Sequence, residues 1–322
     1  MKIVLDAMGS DHAPEVEVDG AIQAIEEFGN DVILVGDEAR IRNELSKHGF
    51  SSEKLTVKHA SQVIDMQDPA ALSVRRKRDS SIVVGMDLLK KDQADAFVSA
   101  GNTGAVVCAA TLSLRMLPGI ERPGIAIVIP TLKGTSVIID VGANITSKPI
   151  HLLQYGIMAD AFSRYILGKT NPSVGLLNVG EEESKGTEFI KETHTLLSES
   201  KLNFAGNIEG RDIMNRLVDV IVTDGFTGNV LLKGIEGAVR WSAQRMAEVY
   251  GDPEPARAVV RETGTGDFAG GMLLGVNGVT VVGHGAGTAD EICACVRLAE
   301  RAARLGLVTS TQQALSSLTA HS

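Results

Sequence analysis

Several broad classes of protein are excluded by what this sequence has little of. Its 322 residues hold three cysteines, Cys108, Cys293 and Cys295. That is too few for a disulfide framework and fits a reducing compartment. Cys293 and Cys295 stand two apart in a helix-like segment, so they point to different faces and make a poor metal pair. Aromatic residues make up 4% of the chain, which argues against stacking platforms for nucleic-acid bases. Positive charge is also short: 31 Lys and Arg against 40 Asp and Glu leave a net charge of −9. A phosphate backbone needs a basic face, so no nucleic acid is expected among the partners. No apolar run approaches the roughly 20 residues that span a bilayer. Met1-Lys2-Ile3 enters an apolar strand at once and does not read as a secretory leader. The expectation is a cytoplasmic protein, at most peripheral to a membrane.

Familiar site signatures are missing too. There is no Gly-x-x-x-x-Gly-Lys-Ser/Thr loop, no His-Glu-x-x-His, no paired Cys-x-x-Cys, no EF-hand spacing and no Gly-x-Ser-x-Gly. Neither a metal nor a cofactor is expected. Gly264-Thr265-Gly266-Asp267-Phe268-Ala269 fits a dinucleotide pattern on paper, but a polar, helix-like stretch precedes it where a strand is required.

What the chain does have is glycine, 34 residues of it, gathered in turns that follow apolar runs. Ile3-Val4-Leu5 leads into Asp6-Ala7-Met8-Gly9-Ser10-Asp11, and Ala96-Phe97-Val98 into Ser99-Ala100-Gly101-Asn102-Thr103-Gly104. Val137-Ile138-Ile139 leads into Asp140-Val141-Gly142-Ala143-Asn144, and Val220-Ile221-Val222 into Thr223-Asp224-Gly225-Phe226-Thr227-Gly228-Asn229. The run Val279 to Val282 leads into Gly283-His284-Gly285-Ala286-Gly287-Thr288. In a parallel α/β sheet such turns collect at the carboxyl edge of the strands, where ligands bind. Small residues at helix starts expose backbone N–H groups, which suits an anion.

Strand and helix patterns alternate throughout, so the fold class is α/β, three layers (α/β/α) around a mainly parallel sheet. Ile125–Ile129 and Ser136–Ile139 are close enough for one antiparallel hairpin. Pro69 to Lys91 reads as one long helix, and Glu183 to Ser198 as another. The whole of residues 1–322 reads as a single α/β domain, with a helical excursion around 231–271.

Three further features carry chemistry. Lys185 stands behind Glu181-Glu182-Glu183 in what reads as a first helical turn, where a cation opposes the helix dipole unless it faces an anion. His284 is the one histidine in a strand-end glycine turn. Arg75-Arg76-Lys77-Arg78 is the only dense basic run in an acidic chain. It reads as a solvated helix face or as a docking site for an acidic partner.

Taken together, the segments resemble the bacterial phosphate acyltransferases of phospholipid synthesis, the PlsX family. The resemblance rests on Asp6–Asp11, Arg78-Asp79-Ser80-Ser81, Ser99–Ala105 and Asp140–Asn144, and continues through Leu176–Gly186, Gly206–Gly210, Asp224–Asn229 and Leu274–Gly278. Met66-Gln67-Asp68-Pro69-Ala70 departs from the longer, more acidic form associated with the family. The resemblance implies a fold like that of the isocitrate and isopropylmalate dehydrogenases and of phosphotransacetylase, assembled as a homodimer. It implies transfer of a fatty acyl group from acyl carrier protein to inorganic phosphate. It also implies functional coupling to the membrane glycerol-3-phosphate acyltransferase (PlsY).

On that chemistry, Gly9, Ser10 and Asp11 with Gly101, Asn102, Thr103 and Gly104 are expected to hold phosphate, and Lys185 to balance its charge. Asn229, Asn144 or backbone N–H groups are candidates for the oxyanion. Asp224 shapes the reacting end, His284 has a catalytic role, and Arg75, Arg76, Lys77 and Arg78 dock the carrier. Two other readings remain: a metal- and NAD-dependent decarboxylating dehydrogenase of the same fold, and a non-catalytic scaffold that binds acyl carrier protein.

Overall fold

The computed structural model describes residues 1–263 and 269–319; the Gly264–Phe268 stretch weighed above lies outside the described residues. In chain order the first elements are β1 (Lys2–Asp6), α1 (Glu15–Phe28), β2 (Asp31–Gly36), α2 (Glu38–His48), β3 (Leu55–His59), α3 (Ala70–Arg76) and α4 (Ser81–Lys90). They continue with β4 (Ala96–Ser99), α5 (Thr103–Ser113), β5 (Gly124–Thr131), β6 (Gly134–Ile139), α6 (Pro149–Tyr165), β7 (Ser173–Asn178), α7 (Glu188–Glu199) and β8 (Asn203–Glu209). Last come β9 (Val220–Val222), α8 (Gly225–Tyr250), α9 (Glu254–Thr263), β10 (Gly271–Leu274), β11 (Val279–Val282), α10 (Ala289–Arg304) and α11 (Leu307–Thr319).

The chain forms two compact units, Met1–Pro118 with Asp267–Thr309, and Gly119–Gly266 with Ser310–Ser322. In the first, the strands lie in the order β3-β2-β1-β4-β11-β10. All neighbours are parallel except β10 and β11. In the second the order is β5-β6-β9-β7-β8, and only the β5–β6 hairpin is antiparallel, with Ala126 opposite Ile139. This is the hairpin that the short connection predicts. Burial along β1, β4, β9 and β11 is continuous, not alternating. Successive side chains point to opposite faces, so both faces of each sheet are covered, as a layered α/β fold requires. In the first unit α1 and α10 pack together, and α3 and α4 both pack on α5; in the second α6 pairs with α7, and α8 with α9.

Two helices differ from the sequence reading. The expected helix over Pro69–Lys91 is broken into α3 and α4. Ser80 adopts an extended backbone and its Oγ accepts the N–H of Val83 as an N-cap. Asp79 is held outside the break, its Oδ2 accepting from the N–H and hydroxyl of Ser61. The break falls in the polar run Arg75–Ser81, which by composition alone reads equally as a solvated helix face. The helix read from Glu183 begins instead at Glu188. Gly186 sits at φ +89°, where a side chain is strained, and Thr187 caps the helix through Ile190 N–H. Lys185 therefore lies in a loop, not in a first turn, and the dipole argument does not apply to it.

One ion-pair network ties strand starts in the second unit. Asp219 Oδ1 meets Arg216 Nη2 at 2.8 Å and Lys169 Nζ at 3.3 Å. Its Oδ2 accepts from Ser173 N and Oγ at 3.0 and 3.1 Å, joining the start of β9 to that of β7.

Candidate active site

In the first unit the organising group is Asp6, fully buried at the end of β1. Its Oδ1 accepts the N–H of Met8 at 3.1 Å and its Oδ2 the hydroxyl of Ser99 at 2.7 Å. Ser99 Oγ in turn accepts the N–H of Gly101 at 3.0 Å. One carboxylate thus fastens the turn after β1 to the turn after its neighbour β4. The two backbones come so close that a Cβ at Gly9 would stand 2.6 Å from Gly101 N, a gap only glycine permits. A third turn joins them, because Asp11 N–H donates to Gly285 O at 2.8 Å. Exposed His284 follows β11 in that turn, its Nδ1 accepting from Ala286 N–H.

Ser10 N–H donates to Glu17 Oε1 at 2.9 Å. Glu17 is buried, and its Oε2 has no partner among the described residues. Burial pushes the carboxyls of both Asp6 and Glu17 upward, against the hydrogen bonds each accepts. Asn102 caps α5 through Ala105 N–H at 3.0 Å. Its Nδ2 donates to the carbonyls of Asp65, Met66 and Asp68 at 3.0–3.2 Å. A cavity of about 530 Å³ lies between Met8–Asp11 and Val63–Asp68. Among the described residues, no acceptor is assigned to the N–H groups of Gly9, Thr103 and Gly104. The last two are first-turn donors with no partner inside their own helix.

The second unit repeats the device more fully. Asp140, buried just after β6, accepts through Oδ1 from Ile125, Gly142 and Ala143 N–H at 2.9–3.0 Å. Its Oδ2 accepts from Asn144 N–H at 2.8 Å. Burial raises its pKa and the four backbone donors oppose the rise. Asn144 is a structural clasp: its O accepts Gly225 N–H, and its Nδ2 donates to Pro123 O and Tyr155 Oη. Both amide hydrogens of its side chain are thereby engaged. Asp224 caps α8, Oδ1 accepting from Phe226 and Thr227 N–H at 3.0 Å and Oδ2 from the Thr227 hydroxyl at 2.7 Å. Asn229, one turn on, faces Gly142: a Cβ there would lie 3.7 Å from Asn229 Cγ. Lys185 is exposed, with its O fixed by Asn178 Nδ2 and its N–H by Glu182 O.

Beside these turns lies a cavity of about 690 Å³, lined in part by Leu177, Val179, Phe189, Ile190, Val230 and Leu231. Its volume falls within the roughly 300–1,000 Å³ of small-molecule sites. Asp224, Thr227, Gly186 and Thr187 border it. Two of its apolar side chains, Val179 and Val230, are 82% and 58% exposed. The structure thus gathers the candidate residues into two sets, one per unit. Gly9, Ser10, Asp11, Gly101, Asn102, Thr103, Gly104 and His284 form the first. Asn144, Asp224 and Asn229 form the second, and Lys185 is not brought into contact with them: it lies in the loop whose next residue, Gly186, borders the cavity. Sequence reasoning missed Asp6, Asp140 and Glu17 as organisers, and the apolar cavity. The signal for the cavity was an apolar residue beside each polar turn: Val179, Phe226 and Val230.

Of the basic run, Arg75, Arg76 and Arg78 are exposed. Lys77 is turned inward, donating to Val63 O at 2.7 Å and to Asp68 Oδ2 at 2.6 Å. No described helix is long and apolar enough to cross a membrane.

Comparison with known proteins agrees with this geometry. Solved structures with the same fold include a phosphotransacetylase from Streptococcus pyogenes, with TM-score 0.62 at 18% identity over 98% of this chain and 94% of that one. Another is a 4-hydroxythreonine-4-phosphate dehydrogenase from Klebsiella pneumoniae, with TM-score 0.56 at 14% identity over 94% and 99%. At such identities the likeness shows the fold alone. Closer in sequence is the phosphate acyltransferase of Geotalea uraniireducens, 44% identical over 95% of this chain and 92% of the relative. That of Pelobacter propionicus is 42% identical over 98% and 94%. The family described as fatty acid synthesis protein matches residues 1–310. The chain belongs to that family, known also as the PlsX family, and is an acyltransferase.

Proposed function

We propose that this enzyme transfers a fatty acyl group from acyl carrier protein to inorganic phosphate, releasing acyl phosphate and the free carrier thiol. The observation that carries the reading is the apolar cavity in the second unit, bordered by Asp224 and by the loop that follows Lys185. An acyl chain fills such a cavity, and each buried methylene contributes about 0.8 kcal/mol.

In the first unit the N–H groups of Gly9, Thr103 and Gly104, together with His284, are the donors proposed to hold phosphate. Ser10, Asp11, Gly101 and Asn102 keep those donors in place. In the second, the Gly142–Asn144 amides already serve Asp140, so they are not offered to an anion. Asn229 is the proposed oxyanion donor, and Asn144, with its amide engaged, holds the loop. Asp224 fixes the start of α8, and Lys185 balances the charge of the reacting phosphate.

A phosphate oxygen attacks the thioester carbonyl. The C–S bond breaks as the tetrahedral intermediate collapses, and the pantetheine thiolate leaves with the electron pair. Its thiol pKa of about 8.5, by analogy with free cysteine, asks for little acid help. Phosphate is dianionic near neutral pH and needs positioning more than activation. Positioning of this kind can supply about 7–11 kcal/mol, and one oxyanion donor about 2.7–4 kcal/mol.

Docking of the acidic carrier is assigned to Arg75, Arg76 and Arg78. A homodimer is supported by α8, where Trp241, Val249 and Tyr250 are exposed. Acyl phosphate is a reactive product, which suits a cytoplasmic enzyme coupled to the membrane glycerol-3-phosphate acyltransferase. The test is direct. The purified chain, acyl carrier protein thioester and phosphate are mixed, and acyl phosphate is trapped as its hydroxamate. Product that requires phosphate supports the reading; thioester that stays intact, or is lost equally without phosphate, refutes it.

A further inference from the structure

Lys77 sits in the middle of the basic run, yet it behaves unlike its neighbours. Its ammonium is bound on two sides, by Val63 O and Asp68 Oδ2, with Asp65 Oδ2 at 3.7 Å. Asp68 Oδ2 also accepts Asp65 N–H at 2.9 Å. The pairing holds Asp68 below the usual carboxylate range and Lys77 above the usual lysine one. The loop gripped from this side is gripped from the other by Asn102, whose Nδ2 reaches three of its carbonyls. Asn102 directly follows Gly101, the glycine pressed against Gly9. Val63–Asp68 is also one wall of the cavity whose other wall is Met8–Asp11.

We infer that Lys77 is a positioning residue for the first-unit turns and not a docking charge. Through Asp68 it fixes the Val63–Asp68 loop, and through that loop the Asn102 side chain and the start of α5. This rests on the reading that the Gly9 and Gly101–Gly104 turns hold phosphate. Arg75 and Arg76, in the last turn of α3, which Lys77 ends, keep their side chains in solvent. One short helix end thus carries a docking surface and an anchor for the site.

The test compares Lys77→Met, which keeps the length of the stem and removes the donors, with Asp68→Asn, which keeps an acceptor and removes the charge. Two readouts are taken on the full chain: titration with inorganic phosphate alone by calorimetry, and steady-state KM for phosphate and for acyl carrier protein thioester. With the loop released, Lys77→Met weakens phosphate binding by about tenfold or more, which is about 1.4 kcal/mol. The KM for the carrier substrate stays as it was. Asp68→Asn has a smaller effect, and the double variant is no worse than Lys77→Met, because the two act as one unit.

Wild-type phosphate affinity in a folded Lys77→Met, whatever its melting temperature, overturns the inference. So does a rise confined to the carrier KM, which would make Lys77 a docking charge. If Lys77→Met does not fold, Asp68→Asn decides by the same two readouts. Should phosphate binding respond as expected while no acyl transfer occurs in the wild type, the inference stands and the proposed reaction falls.

Discussion

The helix α8 contains an internal control for the packing argument. Gly228, Gly234 and Gly237 all lie on it, and the same change to alanine is expected to act with opposite sign along its length. At Gly234 and Gly237 an added Cβ meets nothing within 4 Å among the described residues. There the change removes the entropic penalty of helical glycine and stabilises by about 0.5–1 kcal/mol per site. At Gly228 the Cβ would stand 1.9 Å from Asp140 O and 3.0 Å from Asp140 C. The helix and that carbonyl must part by about 1 Å before the contact reaches 3.0 Å, below which real Cβ atoms are not found.

Asp140 is poorly able to yield. Its carboxylate holds four backbone N–H groups, and its own N–H donates to Thr223 O at 3.0 Å. Overpacking typically costs about 1–3 kcal/mol, and each disturbed hydrogen bond adds about 1 kcal/mol. These terms exceed the gain in helix propensity, so Gly228→Ala destabilises by roughly 1–3 kcal/mol net. Denaturant unfolding at constant slope reads all three variants on one scale. Catalytic turnover is lost in Gly228→Ala, which moves Asn229 against Gly142, and kept in the other two. A Gly228→Ala protein as stable as the wild type, or equal losses at all three sites, would refute the reasoning.

Lys185→Ala raises the phosphate requirement or abolishes turnover while leaving the melting temperature unchanged, since its side chain is exposed and only its backbone holds the loop; unchanged kinetics remove it from the site. Reversing Arg75 and Arg76 to Glu raises the KM for the carrier substrate and spares that for phosphate. The wild-type carrier KM also rises with salt, because exposed charges are screened over about 8 Å at physiological ionic strength. Asp219→Asn tests acid stability. Burial would raise the Asp219 carboxyl, but Arg216, Ser173 and Lys169 outweigh it and hold the pKa at about 2, below the ordinary 3.8. A depressed carboxylate stabilises above its unfolded pKa and loses that contribution as pH falls toward its folded one. The wild type therefore loses about 2 kcal/mol between about pH 4 and pH 2. The variant lacks that limb, and identical acid profiles would count against the network.

Much of the fold was legible because strand–turn–helix alternation leaves a coarse signal. The β5–β6 hairpin followed from a connection too short for a crossover. Helix boundaries were less legible, and for one reason in both cases. Lys77–Ser80 and Glu183–Thr187 are polar throughout, and a polar stretch reads equally as an exposed helix face or as a loop. The true boundary is set by a single capping hydroxyl, Ser80 or Thr187, and by Gly186 at positive φ. A cap is one hydrogen bond on one residue, and periodicity averages over many.

The site was legible in its glycines and not in its carboxylates, and the difference has a physical origin. A glycine turn after an apolar run is visible because glycine there is forced: Gly9 faces the backbone of Gly101, and Gly228 that of Asp140. An aspartate at a strand end looks like any turn former, so Asp6 and Asp140 carry no distinct mark. Yet these two decide what each turn can bind. Asp140 takes the Gly142, Ala143 and Asn144 amides into its own carboxylate, which leaves that turn electrostatically closed to an anion. Asp6 takes only the Met8 amide directly and delegates Gly101 to the Ser99 hydroxyl. The neighbouring N–H groups of Gly9, Thr103 and Gly104 are left without an assigned acceptor among the described residues. Turns that look alike in sequence thus differ in the donors they have left. That difference, more than the number of glycines, supports the proposal that the first-unit turns hold phosphate.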